Sequence, residues 1–436
     1  MKKVLLFMAA AVMSVSVSFA QVDEKAAAKA AKAAAKALKA EIKQANNVLR
    51  EAQGQLNSPE GNLDQANALI EAAMENKHTA GNPDTWYTAG KIQNKIYEKE
   101  NEKMYLQQPY DQELFFGSLS KMFNYFIKCD ELEQQPNEAG KVVAKYRPET
   151  SALLAGLRIN LVSGGVTYFN NNENEKAFDL FGQYIDVASV PLLASYNYME
   201  TDTLIAEIAY YATLAGLKME DYNKALKYID FAMQKEDVAQ KAIEYKALSY
   251  INLGDTVQWL NALKEGVEKY PSVQYFYSNL ISYYNNNGNT GELMAFADEM
   301  LAKNPLPIFR FVKGFVYQNM NEYEKAIEEY KVAIEQDPNY TGAHRNLGIC
   351  YCQLAQIASD KMTNLNMKSK AYKEQKEVVS SYYRLALPIY EHLRKIDDGT
   401  DPDVRGAWTN GLYTCYYMLN MGTEFEEIEK IVNSGY

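Results

Sequence analysis

The chain has 436 residues, of which 47% are hydrophobic and 23% charged, so most of it can bury a core and wholesale disorder is excluded. The net charge of −11 argues against nucleic acid, which needs a basic face to neutralise phosphates. Three histidines leave little room for histidine-based catalysis or metal binding, and the length fits one elongated domain or two or three globular ones.

Met1-Lys2-Lys3 is a short basic start, followed by an apolar run from Val4 to Val17. Ser18-Phe19-Ala20 then places small residues at both positions that a signal peptidase reads, so residues 1–20 are expected to be a signal peptide cleaved near Ala20. The run falls short of the ~20 apolar residues a spanning helix needs, and an uncleaved anchor is the alternative. No later stretch is apolar enough to cross a bilayer, and no cysteine follows the cleavage point to carry a lipid. The expectation is an exported protein, periplasmic or otherwise secreted, with no transmembrane segment in the mature chain.

An Ala/Lys-rich helical extension is expected over 21–53. Within it, Lys25, Lys29, Lys32, Lys36, Lys39 and Lys43 are spaced 4, 3, 4, 3, 4, which matches the turn of an α-helix and draws one electrostatic stripe. Alanine and lysine are strong helix formers, and Asp23 and Glu24 sit where a helix N-terminus favours negative charge. Two readings stay open: a basic rod touching anionic lipid or an acidic envelope polymer, or a solvated spacer or alanine-lined helix packing on the next one. Residues 62–77 then read as a lone helix capping the N-terminal end of the remaining chain, with 423–434 as the C-terminal counterpart.

The rest of the chain is periodic. Tyr250, Tyr284, Tyr317 and Tyr351 lie 34, 33 and 34 residues apart, and Pro271, Pro305 and Pro338 keep phase with them. Gly254 and Gly288 hold the same interval of 34. Each interval reads as two helices. Phe311, Val312, Phe315 and Val316 form one apolar face, Asn319 to Glu322 turn the chain, and Ala326, Ile327, Tyr330, Ala333 and Ile334 form the second face. Asp337-Pro338 ends the pair. Gly314 and Ala326 are expected to let the two helices approach closely, with Tyr317 and Tyr330 filling the space beside them.

These residues resemble the tetratricopeptide repeat, whose pattern is W-x2-L-G-x2-Y, then A-x3-F, then P. Leu347-Gly348-x2-Tyr351 matches the first element, and Gly314-x2-Tyr317, Ala326-x3-Tyr330 and Pro338 match most of one unit, with Lys313 where leucine is usual. Gly165-x2-Tyr168 with Ala177-x3-Phe181 marks an earlier unit, and Trp86-x2-Ala89-Gly90 matches the opening of another, with Gln93 in place of tyrosine. Tyr222-x2-Ala225 and Tyr323-x2-Ala326 match each other at the start of second helices. The resemblance implies an all-α fold, a right-handed α-solenoid of stacked helix-turn-helix units over 54–436, with about 7–8 repeats. Units are expected to begin near 83, 158, 206, 240, 274, 307, 341 and 405. Helical insertions fall near 95–115 and 353–380. In the first, the second helix is delayed between Tyr110 and Cys129; in the second, a pair of elongated helices projects from the stack.

No catalytic signature is found, neither nucleophile elbow, phosphate-binding loop, dinucleotide fingerprint nor zinc-protease motif. No catalytic residue, metal ligand or cofactor is assigned, and the chain is not expected to be an enzyme. His78, His344 and His392 lie on separate predicted elements and read as helix-surface histidines. Asp397, Asp398, Asp401 and Asp403 lack the spacing of a calcium loop and read as a solvated turn. Cys129, Cys350, Cys352 and Cys415 read as buried thiols, with a Cys415 bridge to Cys350 or Cys352 as the open alternative.

The resemblance implies a concave wall built from the first helix of each pair, a surface that commonly holds extended peptides or partner segments. Mapping that wall places Tyr210, Tyr211, Tyr245, Asn252, Tyr275, Asn279, Asn286, Asn319, Arg345 and Asn346 on it, with Phe311 and Phe315 beside them. Rings supply contact area and side-chain amides bond a peptide backbone. The family's clamp for a C-terminal carboxylate, with Lys and Asn on one unit and Lys and Arg two units later, is not assembled, since Arg345 stands alone. The expected function is a scaffold or adaptor in the bacterial cell envelope, binding another envelope protein or an extended peptide. A glycan-binding protein, or one tethered to an anionic envelope polymer, is the alternative.

Overall fold

The computed structural model describes residues 24–136 and 140–433, the side chains of residues 24–26 excepted. The expected signal peptide and the side chain of Lys25 lie outside the described residues. Every regular element described is helical, with no strand among the described residues. No single helix among them is long and apolar enough to cross a membrane. The chain divides into two compact units between Ala239 and Gln240.

The first unit contains α1 (Glu24–Asn57), α2 (Leu63–Glu75), α3 (Pro83–Tyr105), α4 (Gln112–Glu133), α5 (Arg147–Leu157), α6 (Ile159–Asn170) and α7 (Asn174–Asp186). Two short 3-10 turns follow, then α8 (Tyr198–Thr201), α9 (Ile205–Lys218), α10 (Tyr222–Lys227) and α11 (Ile229–Ala232). The division between units falls within α12 (Glu236–Asn252). The second unit continues with α13 (Thr256–Lys269), α14 (Gln274–Asn286), α15 (Thr290–Lys303), α16 (Pro307–Asn319) and α17 (Tyr323–Gln336). It ends with α18 (Thr341–Asp360), α19 (Lys370–Ile396), α20 (Pro402–Met418) and α21 (Gly422–Asn433).

The alanine-rich helix α1 is divided in character. Residues 27–44 are exposed almost throughout, including Lys29, Lys32, Lys36, Lys39 and Lys43. From Ala45 onward Leu49, Ala52 and Leu56 are buried against Ala66, Ile70 and Ala73 of α2 and Ile92 of α3. Residues 62–77 are therefore not a lone cap: α2 pairs with the second half of α1, whose leucines are buried, whereas the first half is mostly alanine on its apolar face and leaves Leu38 and Ile42 exposed. Asn62 fixes the start of α2 by accepting the N–H groups of Asp64 (2.9 Å) and Gln65 (3.1 Å).

In the α3–α4 pair the second helix is not delayed. Asp111 accepts the N–H of Leu114 (2.9 Å) and starts α4 at Gln112, and the stretch is absorbed by two long helices of 23 and 22 residues. The second insertion breaks at 361–369 before α19. Only its tip projects, since α19 is buried from Val379 onward by Tyr383, Ala386, Tyr390 and Leu393, packed between α18 and α20.

Two local devices repeat. The hairpin turns place one residue in the left-handed region: Gly254 (φ 76°), Gly288 (φ 69°) and Asn321 (φ 60°), spaced 34 and 33 residues apart. Glycine takes that conformation without a Cβ clash, and asparagine is the side chain that tolerates it best. The second device is close approach. A Cβ on Gly314 would lie 2.6 Å from the Tyr330 ring, so only glycine lets α16 rest on it. Gly90 with Phe126 and Gly165 with Phe181 repeat the arrangement in the first unit. Lys313, unusual at its position, spans to Asp298 (2.9 Å) and Glu329 (3.3 Å), which ties α16 to both neighbouring helices.

Candidate functional site

The first helices of successive pairs in the second unit line a groove of about 420 Å³. On α14 the core direction is set by Phe276, Leu280 and Tyr284. Gln274, Tyr277, Ser278 and Ile281 then face the groove, a helical face of period three to four. Phe311, Phe315 and Gln318 of α16 and Arg345 of α18 form its far wall, and Tyr340, Asp401 and Asp403 line it as well. The groove runs on past Arg345, Asn346 and Asp403 into a second depression of about 630 Å³, lined also by Ile349, Cys352 and Tyr390.

Part of this lining is held rigidly. Phe311 packs on Tyr330 (5.8 Å) and Tyr340 (5.3 Å). Asn346 is buried; its Nδ2 donates to the Tyr330 hydroxyl (3.1 Å), which donates to Gln318 Oε1 (2.7 Å). Burial pushes the phenols of Tyr277 and Tyr340 upward, so both stay neutral donors. The groove therefore offers rings, neutral hydroxyls and amides, one guanidinium and two carboxylates.

The expected wall residues divide. Arg345, Asn346, Phe311 and Phe315 line the groove, whereas Tyr245, Asn252, Tyr275, Asn279, Asn286 and Asn319 do not. On α14, positions 275 and 279 lie on the flank opposite 277 and 281. Asn279 turns back on its own helix, donating to the Tyr275 carbonyl (2.7 Å), and Asn252 does the same to Leu248 (2.8 Å). Asn319 donates to Asn285 Oδ1 (2.8 Å), a link between α16 and α14. Asn286 is exposed, and Tyr245 and Tyr275 are half-buried. Tyr210 and Tyr211 belong to the first unit, where half-buried Tyr211 packs on Phe169 (5.9 Å) and Phe181 (6.1 Å). The signal for the missed residues was the repeat itself. Tyr277, Phe311 and Arg345 recur every 34 residues, as do Ile281, Phe315 and Ile349.

The histidine expectation is overturned in part. His344 is buried, and His392 approaches it with ring centroids 4.6 Å apart. Both Nε2 atoms lie against the Pro338 carbonyl, at 2.8 and 3.1 Å, because α18 and α19 are antiparallel neighbours. Burial holds the His344 pKa below its ordinary value. The aspartates of the 397–403 turn act as caps and anchors: Asp397 accepts the Trp408 indole N–H (2.8 Å), Asp398 the Thr400 hydroxyl (2.6 Å), and Asp401 the Asp403 N–H (2.8 Å).

The family profile of the TPR repeat matches residues 314–354. This segment is similar to a TPR repeat. It covers Gly314, Tyr330 and Leu347-Gly348-x2-Tyr351, so the TPR match runs from the middle of α16 into α18 and takes in Phe315, Gln318 and Arg345 of the far wall. TPR repeats form a protein-interaction scaffold fold that holds peptides or proteins. No curated protein sequence matches the chain at a significant level. Among solved structures, a TPR repeats protein from Bacteroides fragilis is 17% identical, with 58% of this chain and 97% of that one covered and a TM-score of 0.33. The C-terminal part of a TPR protein from Cytophaga hutchinsonii is 15% identical, covering 61% and 92%, with a TM-score of 0.31. A TPR domain of yeast Sti1, in a complex with pHSP90, is 12% identical, covering 58% and 99%, with a TM-score of 0.22.

Proposed function

We propose that the chain is a non-enzymatic scaffold of the bacterial cell envelope that binds an extended segment of a partner protein in the groove between α14, α16, α18 and α20. The supporting observation is the pair of columns Tyr277, Phe311, Arg345 and Ile281, Phe315, Ile349, which present the same face of three successive first helices. An extended chain laid across them meets rings for its apolar side chains and the neutral donors and acceptors of Gln274, Ser278 and Gln318 for its backbone. Asp401 and Asp403 suit a basic side chain of that segment. The envelope location rests on Met1-Lys2-Lys3, the apolar run and Ser18-Phe19-Ala20 at the start of the chain.

Selection of binders from a random peptide library on residues 21–436, followed by fluorescence anisotropy, tests the reading. Tyr277→Ala, Phe315→Ala and Arg345→Ala should each weaken the selected peptide by about tenfold or more, the effect of removing a buried interface anchor. Tyr210→Ala should leave affinity unchanged. A peptide that binds all three groove variants as well as the parent removes the groove from the reading, and selection of glycans alone moves it to sugars.

The exposed stripe of α1 favours a second role, tethering to an anionic envelope polymer. Lys29, Lys32, Lys36, Lys39 and Lys43 stand on a helix face with no packing duty. Retention on an anionic polymer should fall steeply with added salt and vanish on deleting 24–44, while groove binding persists. Salt-insensitive retention would rule tethering out.

A further inference from the structure

The second depression of the groove has an unusual floor. A Cβ on Gly348 of α18 would lie 2.5 Å from Tyr390 Cζ, and one on Gly411 of α20 would lie 2.6 Å from Tyr390 Cδ1. Both helices therefore rest directly on one ring of α19, with no side chain between. One turn beyond each glycine, four residues on and on the same helix face, stand Cys352 and Cys415. Both thiols are thereby set beside the same ring, close enough for each to shift the other's pKa, and Cys352 Sγ lies 3.9 Å from the Tyr390 hydroxyl. Cys352 is half-buried and lines the groove, whereas Cys415 is buried behind it.

We propose that Cys352 and Cys415 are a redox-active pair that closes to a disulfide joining α18 to α20. The oxidant is a disulfide-bearing molecule that reaches Cys352 through the groove. The Cys352 thiolate attacks one sulfur of that disulfide, forming a mixed disulfide and releasing one thiolate. Cys415 then attacks Cys352 Sγ, gives up its proton and expels the second thiolate. Two protein thiols and one external disulfide become one protein disulfide and two external thiols, so electrons and protons balance.

The division of labour follows from position. Interaction with Cys415 lowers the Cys352 pKa, and the buried Cys415 keeps its proton until attack. Cys350, two residues before Cys352, cannot share that helix face. It is buried, and desolvation pushes its thiol up to about 12. Cys129 sits in the first unit, also at about 12 for the same reason.

The test treats the purified full chain with oxidised glutathione at mildly alkaline pH, then maps peptides without reduction and counts thiols after denaturation. Two of the four thiols should disappear into a Cys352–Cys415 peptide, and Cys350→Ser should form the same peptide. Cys415→Ser should stop at a stable glutathione adduct on Cys352. The oxidised chain should unfold roughly 5–10 °C higher than the reduced chain, the gain reversing with reductant. A lasting glutathione adduct on Cys352 in the parent chain, a Cys350–Cys415 linkage, or four surviving thiols would each overturn the proposal.

Discussion

Both units seat helix pairs by laying a glycine on a ring, and they differ in how the connections between pairs are held. In the second unit the interval is regular, and apolar complementarity does the spacing: Gly314 lies on Tyr330, and Gly348 and Gly411 lie on Tyr390. In the first unit the interval is irregular, and charged and phenolic groups pin the connections. Arg158 is buried between the rings of Tyr184 (3.7 Å) and Tyr198 (4.3 Å). It donates to the Tyr184 carbonyl (2.9 Å) and to the Asp202 carboxylate, which also accepts the Tyr184 hydroxyl (2.6 Å). Arg147 forks onto Asp130 with two contacts of 2.7 Å, and Tyr146 stacks on Tyr87 at 3.7 Å while donating to Asp84 (2.6 Å). Regular spacing lets small residues and rings suffice. Where a linker of variable length must be anchored, directional polar contacts specify one seat for it.

The largest effect is expected where that polar anchoring is cut on one side. Arg158→Ala leaves the Asp202 carboxylate and the Tyr184 carbonyl short of a donor, and should destabilise the first unit by about 3–5 kcal/mol in denaturant unfolding. Asp202 adds a pH signature. Despite desolvation, which alone would raise it, the hydrogen bonds from Tyr184 and Arg158 hold its pKa below the ordinary value. Its contribution is thus full above the unfolded carboxylate range and fades as pH falls through the lowered folded value. Arg158→Ala should flatten that acid limb; an unchanged limb would assign it elsewhere.

The matching break in the second unit is steric. Gly314→Ala forces a methyl into the Tyr330 ring and should cost about 1–3 kcal/mol, as overpacking does. A smaller loss, about 1–2 kcal/mol, is expected for Gly288→Ala, which puts a Cβ in the left-handed region. An undiminished unfolding midpoint in both would mean the helices shift freely, against the close-packing account. The histidine pair gives the smallest effect. Because burial lowers the His344 pKa, with His392 adding repulsion, the unfolded chain binds the proton first. Stability should fall as pH drops below the unfolded histidine value, by at most about 1.4 kcal/mol per pH unit, and His344→Gln should remove that slope.

The repeating architecture was legible because its markers are local: Gly254 and Gly288 announce turns, and Gly314 with Tyr330 announces a close helix pair. Of the residues expected on the wall, Phe311, Phe315 and Arg345 line the groove on α16 and α18, where they keep register, and those on α14 do not. There Tyr275 and Asn279 lie on the flank away from the groove, and the interval of 34 from Phe311 points to Tyr277. Arg158 and His344 were opaque for another reason. Their partners lie 44 and 48 positions along the chain, across connections of irregular length, and no periodicity carries that information.

The free half of α1 has a thermodynamic consequence. Residues 27–44 share almost no buried surface with the rest of the chain, so their helicity answers to the helix–coil equilibrium rather than to cooperative unfolding. An alanine-rich helix of that length is marginal in water by itself, and frays progressively on heating. Far-ultraviolet ellipticity should therefore drift downward well before either unit melts. The drift should disappear on deleting 24–44, and it would otherwise corrupt any two-state fit to the whole chain.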